Sequence, residues 1–185
     1  MSAAPEMDET RFLTPRPSTL DRAAFLETYG GIYESSLWVA ERVWPEAARG
    51  ALDMTGRMRA AMRAAVDGAD EAARLALLRA HPELAGRAAI AGALTASSTR
   101  EQSGSGLDRC SREEFDAFQS LNAQYNEKFG FPFIIAVKGL TRADILAAFR
   151  ARRGNDRAAE FASAIEEVHK IAAFRLAALT EKKDA

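Results

Sequence analysis

The chain has 185 residues, of which 48% are hydrophobic and 28% charged, and its 25 Lys and Arg nearly balance its 26 Asp and Glu. This length and composition predict one soluble globular domain, and the small net charge gives no attraction to nucleic acid or anionic membranes. Cys110 is the only cysteine, which excludes an internal disulfide and favours a reducing cytoplasm. No run of about 18 apolar residues occurs and the first segment is acidic, so we expect no membrane span and no secretory signal.

Two regions are predicted along the chain. Residues 1–17 are polar and lack helical periodicity, which indicates a flexible N-terminal arm. Residues 18–182 are predicted to form one helical domain, because apolar residues recur there at spacings of three to five. In its early part Met54, Met58, Met62 and Val66 follow one another every fourth residue, a row that favours a packed core over a cofactor site.

The later elements are marked by start and stop signals. Ser111-Arg-Glu-Glu114 and Thr141-Arg-Ala-Asp144 have the spacing of capping boxes, and a final helix is predicted from about residue 156 to residue 180. Between them, residues 131–137 form an apolar run that contains Pro. No partner strand is apparent, so we expect a buried extended connection. The predicted fold class is all-α: a single-domain bundle of about eight helices with this one extended connection.

The two histidines, His81 and His169, are too few for a His-rich metal centre, so metal chemistry is disfavoured. The charged neighbours of His169 indicate a solvated surface position. Pro82 follows His81 and suits a first helical position, which would make His81 an N-cap whose imidazole stays neutral near the positive helix terminus. An ordinary cap or core histidine is the alternative.

Four further polar positions stand out. Ser98 and Glu101 have capping-box spacing, so they start a short helix or, with the adjacent Gln102, contribute to a site. Arg175 falls in the apolar row of the last helix, and a buried guanidinium requires a partner. That partner is either a structural carboxylate or an anionic substrate.

Several segments together resemble one family, the 2-oxo-4-hydroxy-4-carboxy-5-ureidoimidazoline (OHCU) decarboxylases. They are His81-Pro-Glu-Leu-Ala-Gly86, Ser98-Thr-Arg-Glu-Gln102, Leu121-Asn122 with Tyr125-Asn126, Phe129-Gly-Phe-Pro-Phe-Ile134, and Glu167-Val-His-Lys-Ile171 leading to Arg175. The resemblance extends from about Leu20 to Leu179. Leu37 departs from it, because the family pattern has proline there.

The resemblance implies a cytoplasmic homodimeric lyase of purine and urate breakdown that converts OHCU to (S)-allantoin and carbon dioxide without metal or organic cofactor. By the same match, His81 and Glu101 are the catalytic pair. Pro82, Ser98, Gln102, Arg175 and the backbone of Phe133, Ile134 and Ile135 are implied to bind the substrate.

The chemistry suits these residue types, because a C=N bond next to the departing carboxylate can accept the electron pair without a cofactor. The division of roles between His81 and Glu101 stays open at this point. Two other functions also stay open: a non-enzymatic helical interaction module, and a decarboxylase of a related ureido acid.

Overall fold

The computed structural model describes residues 9–86 and 94–180. Within these ranges it contains eight α-helices, two short 3-10 helices at Pro17–Thr19 and Leu107–Arg109, and only isolated β-bridges in place of strands. The α-helices are α1 (Arg22–Tyr29), α2 (Leu37–Ala47), α3 (Thr55–Asp67), α4 (Glu71–Arg79), α5 (Ala96–Gly104), α6 (Arg112–Phe129), α7 (Arg142–Arg152) and α8 (Arg157–Ala177). The predicted all-α fold is confirmed. No helix of the described part is long and apolar enough to span a membrane.

The chain divides into two compact units. The first comprises Met1–Leu77 with His169–Ala185, and the second comprises Leu78–Val168. Helix α8 therefore contributes its N-terminal half to the second unit and its C-terminal half to the first.

The first unit is built on α1 to α3. Asp21 caps α1 by accepting the Ala24 N–H at 2.8 Å. On α3 the predicted methionine row is confirmed as core, since Met58, Met62 and Val66 are almost fully buried. The helix begins at Thr55, and Met54, the first residue of the predicted row, is its half-buried N-cap.

The described part of the predicted N-terminal arm packs against the first unit. Leu13 is fully buried, and its N–H donates to the Asp53 carbonyl at 2.9 Å. The next N–H, of Thr14, donates to the Leu179 carbonyl at 2.7 Å. These contacts show that residue 13 belongs to the core, while the boundary between an arm and a domain at residue 17 stays a prediction.

The second unit has an aromatic core. Helix α6 begins with the predicted capping box at Ser111 and ends at Gly130, whose φ of 77° is the left-handed conformation that glycine favours. The following residues 131–137 run without helix or strand and are almost all buried, as predicted. Within them the Phe133 ring stacks on Phe149 of α7, with centroids 3.9 Å apart, and lies edge-on to Tyr125 of α6.

Candidate active site

His81 lies just past the C-terminal end of α4, and its N–H donates to the Leu78 carbonyl at 3.2 Å. The prediction that His81 is the N-cap of a new helix at Pro82 is wrong, because residues 81–86 form a turn. Among the residues that the structure describes, the helix end next to His81 is the carboxyl end of α4. His81 is only 8% exposed and is therefore largely shielded from water.

The loop of residues 81–86 is held by a row of side-chain amides on α6. Gln119, Asn122 and Asn126 are spaced by three and four residues, so they lie on one face of the helix. Each donates to a different loop residue: Gln119 Nε2 to the Ala85 carbonyl at 2.8 Å, Asn122 Nδ2 to the Leu84 carbonyl at 3.0 Å, and Asn126 Nδ2 to the Glu83 carboxylate at 2.6 Å. The loop conformation is thus fixed by a regular helix.

Gln102 of α5 contacts the same loop. Its Oε1 accepts the Ala85 N–H at 3.1 Å, and its Nε2 donates to the Glu83 carbonyl at 3.3 Å. Ala85 has a φ of 48°, a left-handed conformation that costs energy for a residue with a Cβ and that these bonds stabilise. Gln102 therefore has a structural role in the loop, and its amide retains the capacity for one more donated and one more accepted bond.

Helix α5 also carries Ser98 and Glu101, two more of the predicted site residues. Ser98 is 5% exposed and Glu101 is half-buried. The interpretation of Ser98 as the start of a helix is wrong, because α5 begins at Ala96 and Thr95 is its N-cap, accepting the Ser98 N–H at 3.2 Å. Glu101 and Gln102 lie three and four residues after Ser98, so the three side chains are on one side of α5.

The extended connection is engaged at two backbone groups. The Ile134 carbonyl accepts a bond from Arg152 Nη1 at 2.8 Å, and the Ala136 N–H donates to Glu167 Oε2 at 2.8 Å. The N–H groups of Phe133 and Ile135, in contrast, donate to no acceptor in residues 9–86 and 94–180. Phe133 is buried and Ile135 is half-buried.

Arg175 belongs to the first unit. Its Nη1 lies 2.7 Å from Glu34 Oε2 and donates to the Gly31 carbonyl at 3.0 Å. The two side chains are 8% and 3% exposed, which makes this a buried ion pair. The structural carboxylate considered for Arg175 is therefore present, and the five donors of a guanidinium allow a ligand contact besides it.

His169 differs from its prediction. It is 6% exposed instead of solvated, with Nδ1 2.7 Å from the Tyr33 hydroxyl and Nε2 3.0 Å from Asp67 Oδ1. The signal that indicates burial is the row Ile165, His169, Ala172 and Leu176, in which His169 takes a helical core position. The sequence prediction rested on the charged neighbours of His169 and therefore missed its burial.

Among the residues that the structure describes, no group of three or more His, Cys, Asp or Glu side chains has the arrangement to hold a metal ion. The second unit instead offers the imidazole of His81 and, on α5, the hydroxyl of Ser98, the carboxylate of Glu101 and the amide of Gln102, which is bonded to the His81 loop. Such a set can bind and protonate an anionic polar molecule through hydrogen bonds. The fold is that of an all-α protein, and the His81 loop with the α5 residues bonded to it is the candidate small-molecule site.

Comparison with known proteins identifies the class further. The model of the OHCU decarboxylase family matches residues 18–177, so the chain belongs to this family of carboxy-lyases. Decarboxylases of this name from Halalkalicoccus jeotgali and Haloferax volcanii are 39% identical over 175 residues and 42% over 158 residues. The first alignment covers 95% of this chain and 96% of the relative, and the second covers 85% and 90%. A crystal structure of (S)-allantoin synthase matches with a TM-score of 0.73 at 32% identity, over 94% of this chain and 56% of that one.

Proposed function

We propose that this chain is a cofactor-independent decarboxylase that converts OHCU to (S)-allantoin and carbon dioxide in urate breakdown. The observation that carries the proposal is membership of the OHCU decarboxylase family across residues 18–177, with nearly the whole length of two curated relatives aligned. The side chains that the family resemblance requires, at positions 81, 98, 101, 102 and 175, are all present.

The reaction is balanced without an external electron acceptor. When the bond between the ring carbon and the carboxylate breaks, its electron pair passes through the adjacent C=N bond to the ring nitrogen, and carbon dioxide leaves. The hydroxyl on the ring carbon that carried the carboxylate loses its proton and becomes a carbonyl, and the ring nitrogen takes up a proton from solvent. A proton added to one face of the neighbouring carbon then sets the (S) configuration. The enzyme has to orient the carboxylate, stabilise charge on the ring and direct that proton.

Within this proposal, His81 manages the proton of the substrate hydroxyl and Glu101 orients the ring or crowds the departing carboxylate. Support for His81 comes from its position on a loop that side-chain amides fix at three consecutive residues. A carboxylate beside a substrate carboxylate destabilises the bound ground state, an effect that loss of carbon dioxide relieves.

Substrate binding is proposed for Pro82, Ser98, Gln102 and Arg175 and for the backbone of residues 133–135. The support for the backbone groups is that the N–H groups of Phe133 and Ile135 have no acceptor in the described residues. Arg175 would supply charge-assisted hydrogen bonds to an electron-rich substrate atom.

On the family resemblance we also propose a homodimer and a cytoplasmic location. Light scattering after size-exclusion chromatography tests the dimer.

The proposal is tested by making OHCU in situ from urate with urate oxidase and hydroxyisourate hydrolase. The purified protein should accelerate the loss of OHCU absorbance and produce allantoin with the circular dichroism of the (S) form. His81→Asn should lower turnover by about 100-fold or more, as expected for a group that transfers a proton, and Glu101→Gln should lower it through loss of the carboxylate that orients the ring or crowds the departing carboxylate. Glu127→Gln, at an exposed position of α6, is the matched control and should retain wild-type turnover.

Unchanged OHCU decay with racemic allantoin would refute the decarboxylase proposal. Wild-type turnover in His81→Asn would refute the assignment of His81 alone. Turnover of a different ureido acid, measured as carbon dioxide release, would keep the reaction type and change the substrate.

A further inference from the structure

The connection at residues 132–137 runs without turn or bend, so its backbone groups alternate between two edges as in a single β-strand. On one edge, the Ile134 carbonyl is bonded to Arg152 and the Ala136 N–H is bonded to Glu167. On the other edge, the N–H groups of Phe133 and Ile135 donate to no acceptor within the described residues. One edge is therefore held by side chains, while the N–H groups of the other have no acceptor in residues 9–86 and 94–180.

The peptide bond between Ile134 and Ile135 links the two edges. It is trans, so its carbonyl and its N–H point in opposite directions. Because Arg152 Nη1 holds the Ile134 carbonyl at 2.8 Å, it also fixes the direction of the Ile135 N–H, away from α7. An arginine that touches only one edge thereby sets the orientation of a donor on the other.

Arg152 is itself held in place by an acid. Its Nε and Nη2 lie 3.0 Å and 2.5 Å from Glu160 Oε1, and Glu160 is fully buried. Glu160 also accepts bonds from Asn155 Nδ2 at 2.7 Å and from the Tyr125 hydroxyl. The Arg152 guanidinium lies 4.6 Å from the centre of the Phe133 ring, which adds a cation–π contact to the connection. The guanidinium therefore has one preferred position.

We propose that Arg152 and Glu160 are positioning residues that hold residues 133–135 with their open edge toward the substrate. This inference rests on the proposed function, because it assigns a task to residues that do not contact substrate. The open edge offers the N–H and carbonyl of alternating residues, which complements the N–H and C=O groups of a ureido or cyclic urea unit. Loss of the pair should leave the chemistry in place but misalign the donors that bind the ring.

The first test compares Arg152→Met with the matched control Arg153→Met, in which the neighbouring exposed arginine loses its bond to Gln124. Arg152→Met should raise the KM for OHCU about tenfold or more while kcat changes less, since a charge-assisted hydrogen bond is worth about that factor in binding. Arg152→Lys should restore part of the loss, and Arg153→Met should leave both constants unchanged.

The second readout does not depend on turnover. In the wild-type protein, binding of (S)-allantoin should shift the amide resonance of Ile135, and Arg152→Met should weaken (S)-allantoin binding by a similar factor. If Arg152→Met does not fold, Glu160→Gln decides: Gln keeps one acceptor oxygen, which can receive the Tyr125 hydroxyl, but removes the charge that orients Arg152, so KM should rise several-fold.

The outcomes separate the two proposals. A wild-type protein that neither turns over OHCU nor binds allantoin would remove the proposed function. An active wild type whose folded variants at 152 and 160 keep their KM and their allantoin affinity would overturn the positioning role alone. A fall in activity per milligram of protein at unchanged KM, with a lower melting temperature, would also overturn it, because a purely structural ion pair gives that result.

Discussion

Removal of Glu34 should destabilise the first unit strongly, because Arg175 would then be a buried cation without its carboxylate. The two side chains are 3% and 8% exposed, and their closest N–O distance is 2.7 Å. Breaking a buried pair by deleting one partner costs about 3–5 kcal/mol. For a chain of this size each kcal/mol lowers the melting temperature by roughly 2–4 °C, so Glu34→Leu should lower it by roughly 6–20 °C.

The assay is urea unfolding followed by circular dichroism for Glu34→Leu, Arg175→Met and the double variant. The double variant replaces both charges with apolar side chains, so it should lose much less stability than the sum of the single variants, with a coupling energy of at least about 2 kcal/mol. A loss below about 1 kcal/mol for Glu34→Leu, or strict additivity in the cycle, would refute the argument that this pair is buried and coupled.

Three other changes have expected results. Ser111→Ala removes the N-cap of α6, which accepts the Glu114 N–H at 3.1 Å, and should cost about 1 kcal/mol in thermal unfolding. Bonds from the Ser111 backbone, and then from Arg142, hold the pKa of Glu114 below its ordinary value of 4.5. This contribution is present above that value and lost as pH falls through the folded-state pKa, so Glu114→Gln should flatten the acid side of a stability profile, and an unchanged slope would contradict it. Asn122→Leu leaves the buried Leu84 carbonyl without its donor, and should cost about 1–3 kcal/mol and lower kcat by loosening the His81 loop; a stable variant with wild-type kcat would contradict the role of the amide row.

Local signals predicted the regular parts of the fold. The capping boxes at Ser111 and Thr141 depend only on residues three positions apart, and both occur in the structure with both of their bonds. The methionine row of α3 likewise depends on helical spacing alone. Such features follow from a short stretch of chain, so a single sequence is sufficient to find them.

The errors have a different physical origin. Thr95 and Ser98 are both possible N-caps and lie within one turn of each other. Thr95 is the N-cap in the structure, because the helix extends further toward the N-terminus than the spacing of Ser98 and Glu101 suggested. At His81, Pro82 was interpreted as a first helical residue, but the chain turns instead, with Ala85 at a φ of 48°. The bonds that stabilise this turn come from residues 17 to 43 positions away, which no local pattern contains.

The case of His169 shows how one helix can carry two candidate rows. The sequence pattern places Arg175 in the apolar row of the last helix, whereas the buried side of that helix also includes His169 and Leu176. A polar residue at a core position is accepted when its hydrogen bonds are made, and His169 has Tyr33 and Asp67 as partners. Burial of a histidine is thus decided by partners that lie far away in the sequence.

The two irregular segments of the second unit are fixed by the same means. In residues 81–86 and in residues 132–137, backbone groups that no helix can satisfy are bonded by side chains from α5 to α8. A buried polar side chain on these helices is costly unless it makes such a bond, so the amides of α6 and the charges of α7 and α8 are explained by the segments that they hold. Because His81, Pro82 and the backbone of residues 133–135, which are proposed catalytic and binding groups, lie on those segments, activity should be sensitive to side chains that never contact the substrate. Substitution of the holding residues is therefore expected to separate binding from folding more clearly than substitution of the aromatic core, where every change acts on stability first.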